Sequence, residues 1–317
     1  MLTFDDITEA AERIRGVVHR TPVLTSRTLD ELTGRQVFLK AENLQRTGAF
    51  KMRGAYNAVA RLAERQPDAT IVTYSSGNHG QAIAHSAQLL GLDACVVMPH
   101  DAPEVKAEAV TAYGAEIVRY DRYTESRDGV AATVAADRGA TVIPPFDHLD
   151  VMAGQGTCGL ELIEEVGDLD VVAVCLGGGG LLSGVAIATR HLSPDTSVVG
   201  VEPAAGDDGK RSLAAGRRVT IEQPVTIADG QATTSLGELT FEVISDKVDA
   251  IETVTDDEIV DAMRFCFDRL RIVVEPSGAS SLAAVMAGRV GRPGDRVGVT
   301  LSGGNVDRAR FAELLTR

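Results

Sequence analysis

The chain has 317 residues, and its 31 Lys and Arg against 45 Asp and Glu give a net charge of -14. This charge repels phosphate backbones and anionic lipids, so it argues against nucleic acid or a membrane as the main partner. The length is sufficient for two lobes of ordinary domain size with a cleft between them. Any phosphate that the protein binds must therefore be held by a local site.

The cysteines and the N-terminus indicate a reduced, cytoplasmic location. The four cysteines are widely separated, at Cys95, Cys158, Cys175 and Cys266. They form no C-x-x-C pair and have no nearby histidine at metal-ligand spacing, so we predict reduced and mostly buried thiols. The N-terminus has no basic region followed by an apolar run, and Thr3 with Asp6 has the spacing of a helix cap. No apolar stretch is long enough to span a bilayer.

Lys51 has an unusual position in the segment NLQRTGAFKMRGAYNAV (43–59). It lies between Phe50 and Met52, where a helix is predicted to begin. A lysine between apolar side chains is either a stem that lies along the surface or a nucleophile whose pKa has been lowered. The local pattern is compatible with both interpretations.

Short β-branched runs alternate with helical segments along the chain. The runs are residues 70–74, 94–98, 116–120, 171–176, 197–202 and 296–301. Between them, segments such as QAIAHSAQLLG (81–91) and ESRDGVAATVAADRG (125–139) repeat their apolar residues at intervals of three and four. Strands separated by helices of this length predict an α/β fold with mostly parallel sheets and helices on both faces.

Three of the predicted strands are followed directly by glycine or small polar residues. These turns are SSGNHG (75–80), GGGGLLSG (177–184) and SGGN (302–305). One glycine-rich turn after a strand is weak support for a site, because many connections need glycine for a positive φ. In parallel sheets, however, ligands bind beyond the carboxyl ends of the strands. Three such turns therefore predict one shared site.

The run Gly177–Gly180 between a buried strand and a predicted helix is typical of a phosphate cup. Four glycines let backbone N–H groups approach an anion closely, and the helix N-terminus adds its positive end. The dinucleotide fingerprint G-x-G-x-x-G fails, because Leu182 or Ser183 stands at its third glycine. The Walker pattern fails as well, because Val185 follows Gly184 where a lysine is required. A single phosphate group is the better interpretation.

The combined features indicate a phosphorylated aldehyde cofactor that is held by a lysine as a Schiff base. A single-phosphate cup, Lys51 in an apolar setting and polar turns at two other strand ends fit pyridoxal 5'-phosphate. Glu202, at the end of the next strand, imitates the acid that binds a ribose in dinucleotide sites. A nicotinamide-dependent dehydrogenase therefore stays open as an alternative.

Seven motifs in chain order resemble one known family. They are KAENLQRTGAFKMRGAYNAV, SSGNHGQAIA, AGQGT, GGGGLLSG, ADG, EPSGA and LSGGN, and they run from residue 40 to residue 305. Together they look like the threonine/serine dehydratase and serine racemase family of pyridoxal-phosphate enzymes, which have fold type II (tryptophan synthase β-like). The resemblance implies a large cofactor-binding lobe (1–69 and 148–317), a small inserted lobe (70–147), a cofactor in the cleft and a homodimer.

The resemblance also implies roles for individual residues. The implied cofactor residues are Phe50, Lys51, Asn78, Gly177, Gly178, Gly179, Gly180, Leu181, Gly230 and Ser302. Among these, Lys51 would form the Schiff base with Phe50 beside the ring, and Asn78 would bond the ring hydroxyl. Ser302 would face the pyridine nitrogen, Gly230 would pack near the ring, and the glycines with Leu181 would hold the phosphate. The residues implied for the substrate carboxylate are Ser75, Ser76, Asn78, His79 and Arg127.

The expected reaction is β-elimination of water from L-threonine or L-serine, which gives a 2-oxo acid and ammonia. Lys51 would take the Cα proton. Ser302 does not enforce a protonated pyridinium as a carboxylate would, and this favours expulsion of a leaving group from Cβ. Ser76 matches the second acid/base of serine racemase, so racemisation is an alternative. A further alternative is a 3-hydroxyaspartate dehydratase, in which Arg127 or His148 meets the β-carboxylate. An inactive binding protein that kept the fold is the alternative of another class.

The segment VEPAAGDDGKRS (201–212) has the oxygen ligands of a divalent-cation site. Glu202, the carbonyl of Gly206 and Asp208 would suit Mg²⁺ or Ca²⁺, and their spacing is similar to that of the cation site in serine racemase. An acidic surface loop is the alternative, because carboxylates are common at protein surfaces.

Overall fold

The computed structural model describes residues 1–102 and 104–316. The strands in this part of the chain are β1 Val23–Leu24, β2 Gln36–Ala41, β3 Ile71–Tyr74, β4 Ala94–Pro99, β5 Glu116–Tyr120, β6 Thr141–Val142, β7 Val171–Cys175, β8 Ser197–Pro203, β9 Ala250–Val254 and β10 Arg296–Leu301. The α-helices are α1 Phe4–Ile14, α2 Arg27–Thr33, α3 Lys51–Arg65, α4 Asn78–Leu90, α5 Glu104–Ala112, α6 Arg127–Arg138, α7 Leu149–Val166, α8 Gly180–Leu192, α9 Asp208–Ala215, α10 Glu238–Lys247, α11 Asp256–Phe265, α12 Pro276–Met286 and α13 Arg308–Leu315.

The strands form two sheets. A six-stranded sheet has the order β1-β2-β10-β7-β8-β9, and a four-stranded sheet has the order β5-β4-β3-β6. Neighbouring strands run parallel in both sheets, except that β1 pairs with β2 in the antiparallel direction. The predicted α/β class with mostly parallel sheets is confirmed. The four-stranded sheet lies within residues 70–147, while the predicted boundaries of the two lobes stay a prediction.

All six predicted strands are present, as β3, β4, β5, β7, β8 and β10. The strands that the sequence pattern did not reveal are β1, β2, β6 and β9. Two of these, β1 and β6, contain only two residues and cannot show a periodicity. The strand β9 (AIETV) has Glu252 at its centre, so it lacks a continuous β-branched run.

The remaining structural expectations from the sequence concern the N-terminus and the cysteines. Thr3 and Asp6 form a capping box at the start of α1, with Thr3 N donating to the Asp6 carboxylate at 2.9 Å. The four cysteines are buried and unpaired. In residues 1–102 and 104–316, no helix has both the length and the apolar character needed to cross a membrane.

The helix α7 packs unusually closely against α3 and α8 because its sequence AGQGTCG lacks side chains at the contacts. A Cβ at Gly154 would lie 2.5 Å from the carbonyl oxygen of Arg53 in α3. A Cβ at Gly184 of α8 would lie 2.5 Å from the backbone nitrogen of Gly156 in α7. Real Cβ atoms do not approach other atoms so closely, so glycine is required there. This packing fixes α3, whose first residue is Lys51, against the centre of the molecule.

A buried ionic network lies beneath the first turn of α3. The guanidinium of Arg53 donates to both carboxylate oxygens of Glu42 at 2.7 Å and to those of Glu161 at 2.7 and 2.8 Å. Lys40 Nζ donates to Glu161 at 2.7 Å and to the carbonyl of Thr21 at 2.6 Å. Arg53, Lys40 and Glu42 are each 0% exposed. Two positive and two negative charges thus neutralise one another away from water.

Removal of Arg53 is expected to destabilise the fold strongly. The variant Arg53→Met leaves the buried carboxylate of Glu42 without its guanidinium partner, and breaking a buried pair in this way typically costs about 3–5 kcal/mol. Arg138→Ala is the control, since it removes a bidentate but solvent-exposed pair with Glu116, for which at most about 1 kcal/mol is expected. Urea unfolding of both variants measures the difference. Equal losses in the two variants would contradict the importance of the network.

Candidate active site

The amine of Lys51 lies in a partly buried setting at the start of α3. Lys51 Nζ donates to the carbonyl of Pro145 at 2.7 Å and lies 5.1 Å from the centroid of the Phe50 ring. Burial lowers the pKa of Lys51 to about 8, although the negative charge of Glu275 opposes this shift. A large fraction of this amine is therefore neutral at slightly alkaline pH. Of the two interpretations that the sequence left open, this setting favours the nucleophile.

The turn before Lys51 is held against the end of β10. The backbone N–H of Phe50 donates to the carbonyl of Ser302 at 3.0 Å, and Ala49 forms an isolated bridge with Gly303. Ser302 is 3% exposed and its side chain lies beside Cys175 at the end of β7, where burial raises the pKa of the Cys175 thiol to about 11. The structure thus places Phe50, Lys51 and Ser302 around one site, as the sequence predicted.

The glycine loop connects β7 to α8 and has no room for side chains. A Cβ at Gly178 would lie 2.2 Å from the ring of Phe146, and a Cβ at Gly179 would lie 2.8 Å from Cβ of Thr240. Gly179 also has a positive φ of 97°, which favours glycine. Gly180 then begins α8, so the first N–H groups of this helix, including that of Leu181, have no partner within the helix.

These features fit the phosphate of pyridoxal phosphate. The loop offers backbone N–H groups and the positive end of α8, which together bind an anion without a basic side chain. Gly230 lies directly alongside, because a Cβ at Gly177 would lie 3.0 Å from the carbonyl oxygen of Gly230. Gly230 is held in turn by Ser277, whose Oγ accepts from its N–H at 2.9 Å. The residues present therefore suit the cofactor that the sequence predicted.

The side chain of Asn78, the first residue of α4, is already engaged by protein groups. Its Nδ2 donates to Glu275 Oε1 at 2.7 Å, and its Oδ1 accepts from Asn305 Nδ2 at 2.8 Å. Glu275 precedes α12 and is 6% exposed. Asn78 therefore joins the SSGNHG and SGGN turns, two of the three strand-end segments for which we predicted a shared site.

The turn between β3 and α4 contains the serines predicted to bind the substrate carboxylate. Ser75 Oγ accepts from Gly77 N at 3.2 Å, and Ser76 lies between these two residues. His79, however, is 1% exposed, and its Nε2 lies 3.3 Å from the carbonyl of Ile143. Burial, with the positive charge of Lys51, lowers the pKa of His79 to about 3, so its ring is neutral. Only a neutral imidazole is thus available to a ligand from this position.

Arg127 lies at the start of α6 and is exposed to solvent. Its guanidinium carbon lies 5.6 Å from the centroid of the Tyr74 ring, which is a cation–π distance. Tyr74 ends β3 and is followed directly by Ser75 and Ser76. Arg127 is thus packed against the residue that leads into the predicted carboxylate-binding turn.

The predicted cation ligands lie between the C-terminal end of β8 and the start of α9. Glu202 is 1% exposed, and its carboxylate accepts from the N–H groups of Gly209 and Lys210 at 2.9 and 3.0 Å. Asp208 is 0% exposed, and neither carboxylate oxygen has a hydrogen-bond partner among the described residues. Gly206, between them in the chain, is also buried. A pair of buried carboxylates is costly unless a cation or protons neutralise it.

Burial also raises the pKa values of this pair. Carboxylates on an acidic surface loop would not show such a shift. Burial and the neighbouring Asp208 raise the pKa of Glu202 from 4.5 to about 8, and burial raises the pKa of Asp208 from 3.8 to about 7. No group of three or more His, Cys, Asp or Glu that suits a metal is found within the described ranges. A cation here would therefore need a carbonyl such as that of Gly206 as a further ligand, and the donors present are the hard oxygens that Mg²⁺ and Ca²⁺ prefer.

Four residues at the site were given no role by the sequence. They are Pro145, Phe146, Glu275 and Asn305. Glu275 and Asn305 stand inside the motifs EPSGA and LSGGN, so their position in a motif was the available signal. Pro145 and Phe146 lie after β6, a strand too short to be recognised, and no local pattern pointed to them.

Comparison with known proteins identifies the family. A family model described as pyridoxal-phosphate dependent enzyme matches residues 14–303. The chain is 53% identical over 313 residues to an L-threo-3-hydroxyaspartate ammonia-lyase of Pseudomonas sp, covering 99% of this chain and 98% of the relative. It is 50% identical over 315 residues to a serine racemase of Schizosaccharomyces pombe, with the same shares covered. The chain therefore belongs to the family of pyridoxal-phosphate-dependent enzymes.

Solved structures agree with this family and with its fold. The crystal structure of serine racemase from Dictyostelium discoideum superposes with a TM-score of 0.91 at 43% identity, covering 96% of this chain and 99% of the other. A T.th. threonine deaminase gives a TM-score of 0.90 at 46% identity, with the same shares covered. The predicted fold type II and the predicted cofactor, pyridoxal 5'-phosphate, are thus confirmed, and the nicotinamide-dependent alternative is not supported.

Proposed function

We propose that the protein is an ammonia-lyase that removes water from a small hydroxy amino acid and releases a 2-oxo acid and ammonia. The observation that carries this proposal is the Lys51 amine, which is partly buried, has a pKa lowered to about 8 and follows the turn in which the N–H of Phe50 donates to Ser302. The family and the relatives support a pyridoxal-phosphate-dependent lyase. L-serine and L-threonine are the first proposed substrates.

The proposed cofactor contacts are those that the family resemblance implies, and the geometry of the site supports them. Lys51 would hold the cofactor aldehyde, the N–H groups of Gly177–Gly180 and Leu181 would hold the phosphate, and Phe50 and Gly230 would flank the ring. Asn78 would donate to the ring hydroxyl, and Ser302 would face the ring nitrogen. When bound, pyridoxal phosphate makes the Cα–H bond of an amino acid acidic by withdrawing electrons into its ring.

The residues of the chain would then move protons and orient the substrate. Ser75, Ser76 and the N–H groups at the start of α4 would hold the substrate carboxylate, with one face of Cα toward Lys51. Lys51 Nζ would take the proton from Cα, and return of this proton to the hydroxyl that leaves Cβ would release it as water. The unsaturated amine that remains would hydrolyse to the 2-oxo acid and ammonia. A neutral His79 beneath the turn would leave Lys51 as the base.

L-threo-3-hydroxyaspartate is the second candidate substrate, and the position of Arg127 favours it. A β-carboxylate needs a cation, and the exposed guanidinium of Arg127 is kept near the serine turn by the Tyr74 ring. The ammonia-lyase of Pseudomonas sp, which is named for this substrate, is 53% identical to the chain. His148, the other residue considered for this role, lies at the start of α7, and its buried Nδ1 has no hydrogen-bond partner among the described residues.

A homodimer and a cytoplasmic location stay predictions. Racemisation of serine and an inactive binding protein stay the alternatives to the proposed lyase. Ser76 would supply the second acid/base that racemisation needs. The relative from Schizosaccharomyces pombe, named serine racemase, supports this alternative at 50% identity. The substrate tests below also distinguish racemisation and the inactive binding protein from the proposed lyase.

We propose further that Glu202, the Gly206 carbonyl and Asp208 bind Mg²⁺ or Ca²⁺. The support is the unpartnered, buried carboxylate of Asp208 beside the buried Glu202. A divalent cation would offset the cost of two ionised carboxylates away from water. Its role would be to stabilise the end of β8 and the start of α9, outside the chemical step.

Lys51→Ala is expected to abolish 2-oxo acid release from L-serine, L-threonine and L-threo-3-hydroxyaspartate, together with the visible absorbance of the bound cofactor. The physical reason is the loss of both the covalent anchor and the base. Lys247→Ala, which removes a half-buried lysine paired with Asp246, is the control and should keep full activity. Full activity of Lys51→Ala would overturn the proposal. Failure of the wild-type protein on all three substrates, with D-serine formed from L-serine, would move it to racemisation; no D-serine would favour the binding protein.

Arg127→Ala is expected to lower kcat/KM for L-threo-3-hydroxyaspartate more than for L-serine. The loss of one charge-assisted hydrogen bond is worth roughly 1.5–3 kcal/mol, which corresponds to about 10- to 100-fold. Arg122→Ala is the matched control, because this arginine is also exposed but is paired with Asp101. Steady-state kinetics on both substrates measure the ratio. An equal loss on both substrates would contradict recognition of the β-carboxylate by Arg127.

The proposed cation site predicts a pH-dependent stability. Both raised pKa values mean that folding takes up protons, so without a cation this pair weakens the fold as pH rises from about 5 to 8. Mg²⁺ or Ca²⁺ in excess over EDTA should therefore raise Tm at pH 8, and less at pH 5.5. Asp208→Asn should remove the increment, whereas Asp207→Asn, which alters a half-buried neighbour paired with Arg211, should keep it. Persistence of the increment in Asp208→Asn would contradict the site.

A further inference from the structure

The amide of Asn78 has its orientation set by two protein partners. Glu275 Oε1 accepts from Asn78 Nδ2 at 2.7 Å, and Asn305 Nδ2 donates to Asn78 Oδ1 at 2.8 Å. An ionised carboxylate only accepts hydrogen bonds, and an amide NH₂ only donates them. The chemistry of the partners therefore permits one orientation of the Asn78 amide, with its nitrogen toward Glu275 and its oxygen toward Asn305.

Asn305 also connects Asn78 to the segment that precedes Lys51. The same Nδ2 of Asn305 donates to the carbonyl of Thr47 at 2.6 Å. Thr47 has a positive φ of 58°, which is uncommon for a residue other than glycine. A Cβ at Gly48 would lie 2.3 Å from Asn305 Oδ1, so this turn has been kept free for the Asn305 side chain. The backbone that leads to Lys51 and the amide of Asn78 thus share one donor group.

Glu275 is held beside Asn78 and Asn305 by Gly303, another residue of the SGGN turn. Its backbone N–H donates to the carbonyl of Gly303 at 3.0 Å. A Cβ at Gly303 would lie 2.2 Å from Glu275 Oε1, the oxygen that accepts from Asn78. The glycine therefore leaves space for the carboxylate. Glu275 and Asn305 approach Asn78 from two different segments of the chain, which gives its side chain little freedom to rotate.

We infer that Asn305 is a positioning residue, which acts with Glu275 to aim one free N–H of Asn78 at the ring hydroxyl of the cofactor. An amide nitrogen has two N–H donors, and only one of them is used by Glu275. If the amide turned over, its oxygen would face the carboxylate, and the donor for the ring would be lost. This inference rests on the proposed role of Asn78, and it assigns to Asn305 a role that requires no contact with the cofactor.

The test measures cofactor affinity instead of turnover, so it does not depend on the substrate. Protein freed of cofactor is titrated with pyridoxal phosphate, and binding is followed by the absorbance and fluorescence of the cofactor, which the chain, having no tryptophan, does not obscure. Asn78→Ala is expected to raise Kd about 10-fold and Asn305→Ala about 5-fold, as for the loss of one hydrogen bond. Asn305→Asp fills the same space without an N–H donor and should weaken binding as well.

A double-mutant cycle separates positioning from a general structural effect. In the Asn78→Ala background, Asn305→Ala should have no further effect on Kd, because the amide that it orients is gone. Asn43→Ala is the matched control. It removes a nearby side-chain hydrogen bond, from Asn43 Nδ2 to the Val273 carbonyl at 3.0 Å, and should leave Kd unchanged. The Tm of each cofactor-free variant reports structural damage.

The possible outcomes distinguish the two claims. Additive effects of the two substitutions, or an equal effect of Asn43→Ala, would overturn the positioning role of Asn305 and leave the proposed role of Asn78 intact. An unchanged Kd in Asn78→Ala would overturn both. Neither result bears on which hydroxy amino acid is the substrate, so failure of this inference is separable from failure of the proposed function.

Discussion

The buried ionic network around Arg53 is the constraint on which the geometry of the site depends. Arg53 is two residues from Lys51, and its guanidinium binds Glu42 and Glu161, which come from the end of β2 and from α7. These charges cannot return to water without unfolding the centre of the molecule, so the first turn of α3 has one available position. The close glycine contacts between α3 and α7 also restrict the position of α3. Lys51 thus lies two residues from a fully buried arginine that is bound on two sides.

Local backbone dipoles and burial account for the electrostatics of the site in a protein that carries a net charge of -14. The glycine loop offers N–H groups and a helix N-terminus to a phosphate, so no basic side chain is required there. Burial alone is sufficient to lower the pKa of Lys51, even against the nearby negative charge of Glu275. The same effect raises the pKa values of Glu202 and Asp208, where the charge is negative instead of positive. Burial thus favours the neutral form of the Lys51 amine, and it makes the ionised form of the carboxylate pair costly unless a cation is bound.

Much of the fold was predictable because its signals are local. Buried parallel strands are continuous β-branched runs, and all six such runs are strands. The carboxyl-end rule then predicted one site for three turns, and the structure joins two of them, SSGNHG and SGGN, through the bond from Asn305 to Asn78. What the sequence could not show depends on tertiary contacts. Phe146 covers Gly178 from a segment after a two-residue strand, and the burial of His79 is decided by its packing against Ile143.

The choice of substrate is the part of the function that this architecture determines least. Most of the residues that would hold the cofactor are buried or half-buried, whereas Arg127 is exposed and its guanidinium packs on the face of the Tyr74 ring. A cation–π contact at such a site is worth about 0.5–1 kcal/mol, much less than the buried ion pairs beneath Lys51. The chain therefore combines a closely packed centre around Lys51 with a weakly held guanidinium, that of Arg127, near the turn of Ser75 and Ser76. Relatives of nearly equal identity carry different substrate names, as is expected when fold and cofactor depend on many contacts and specificity on a few side chains.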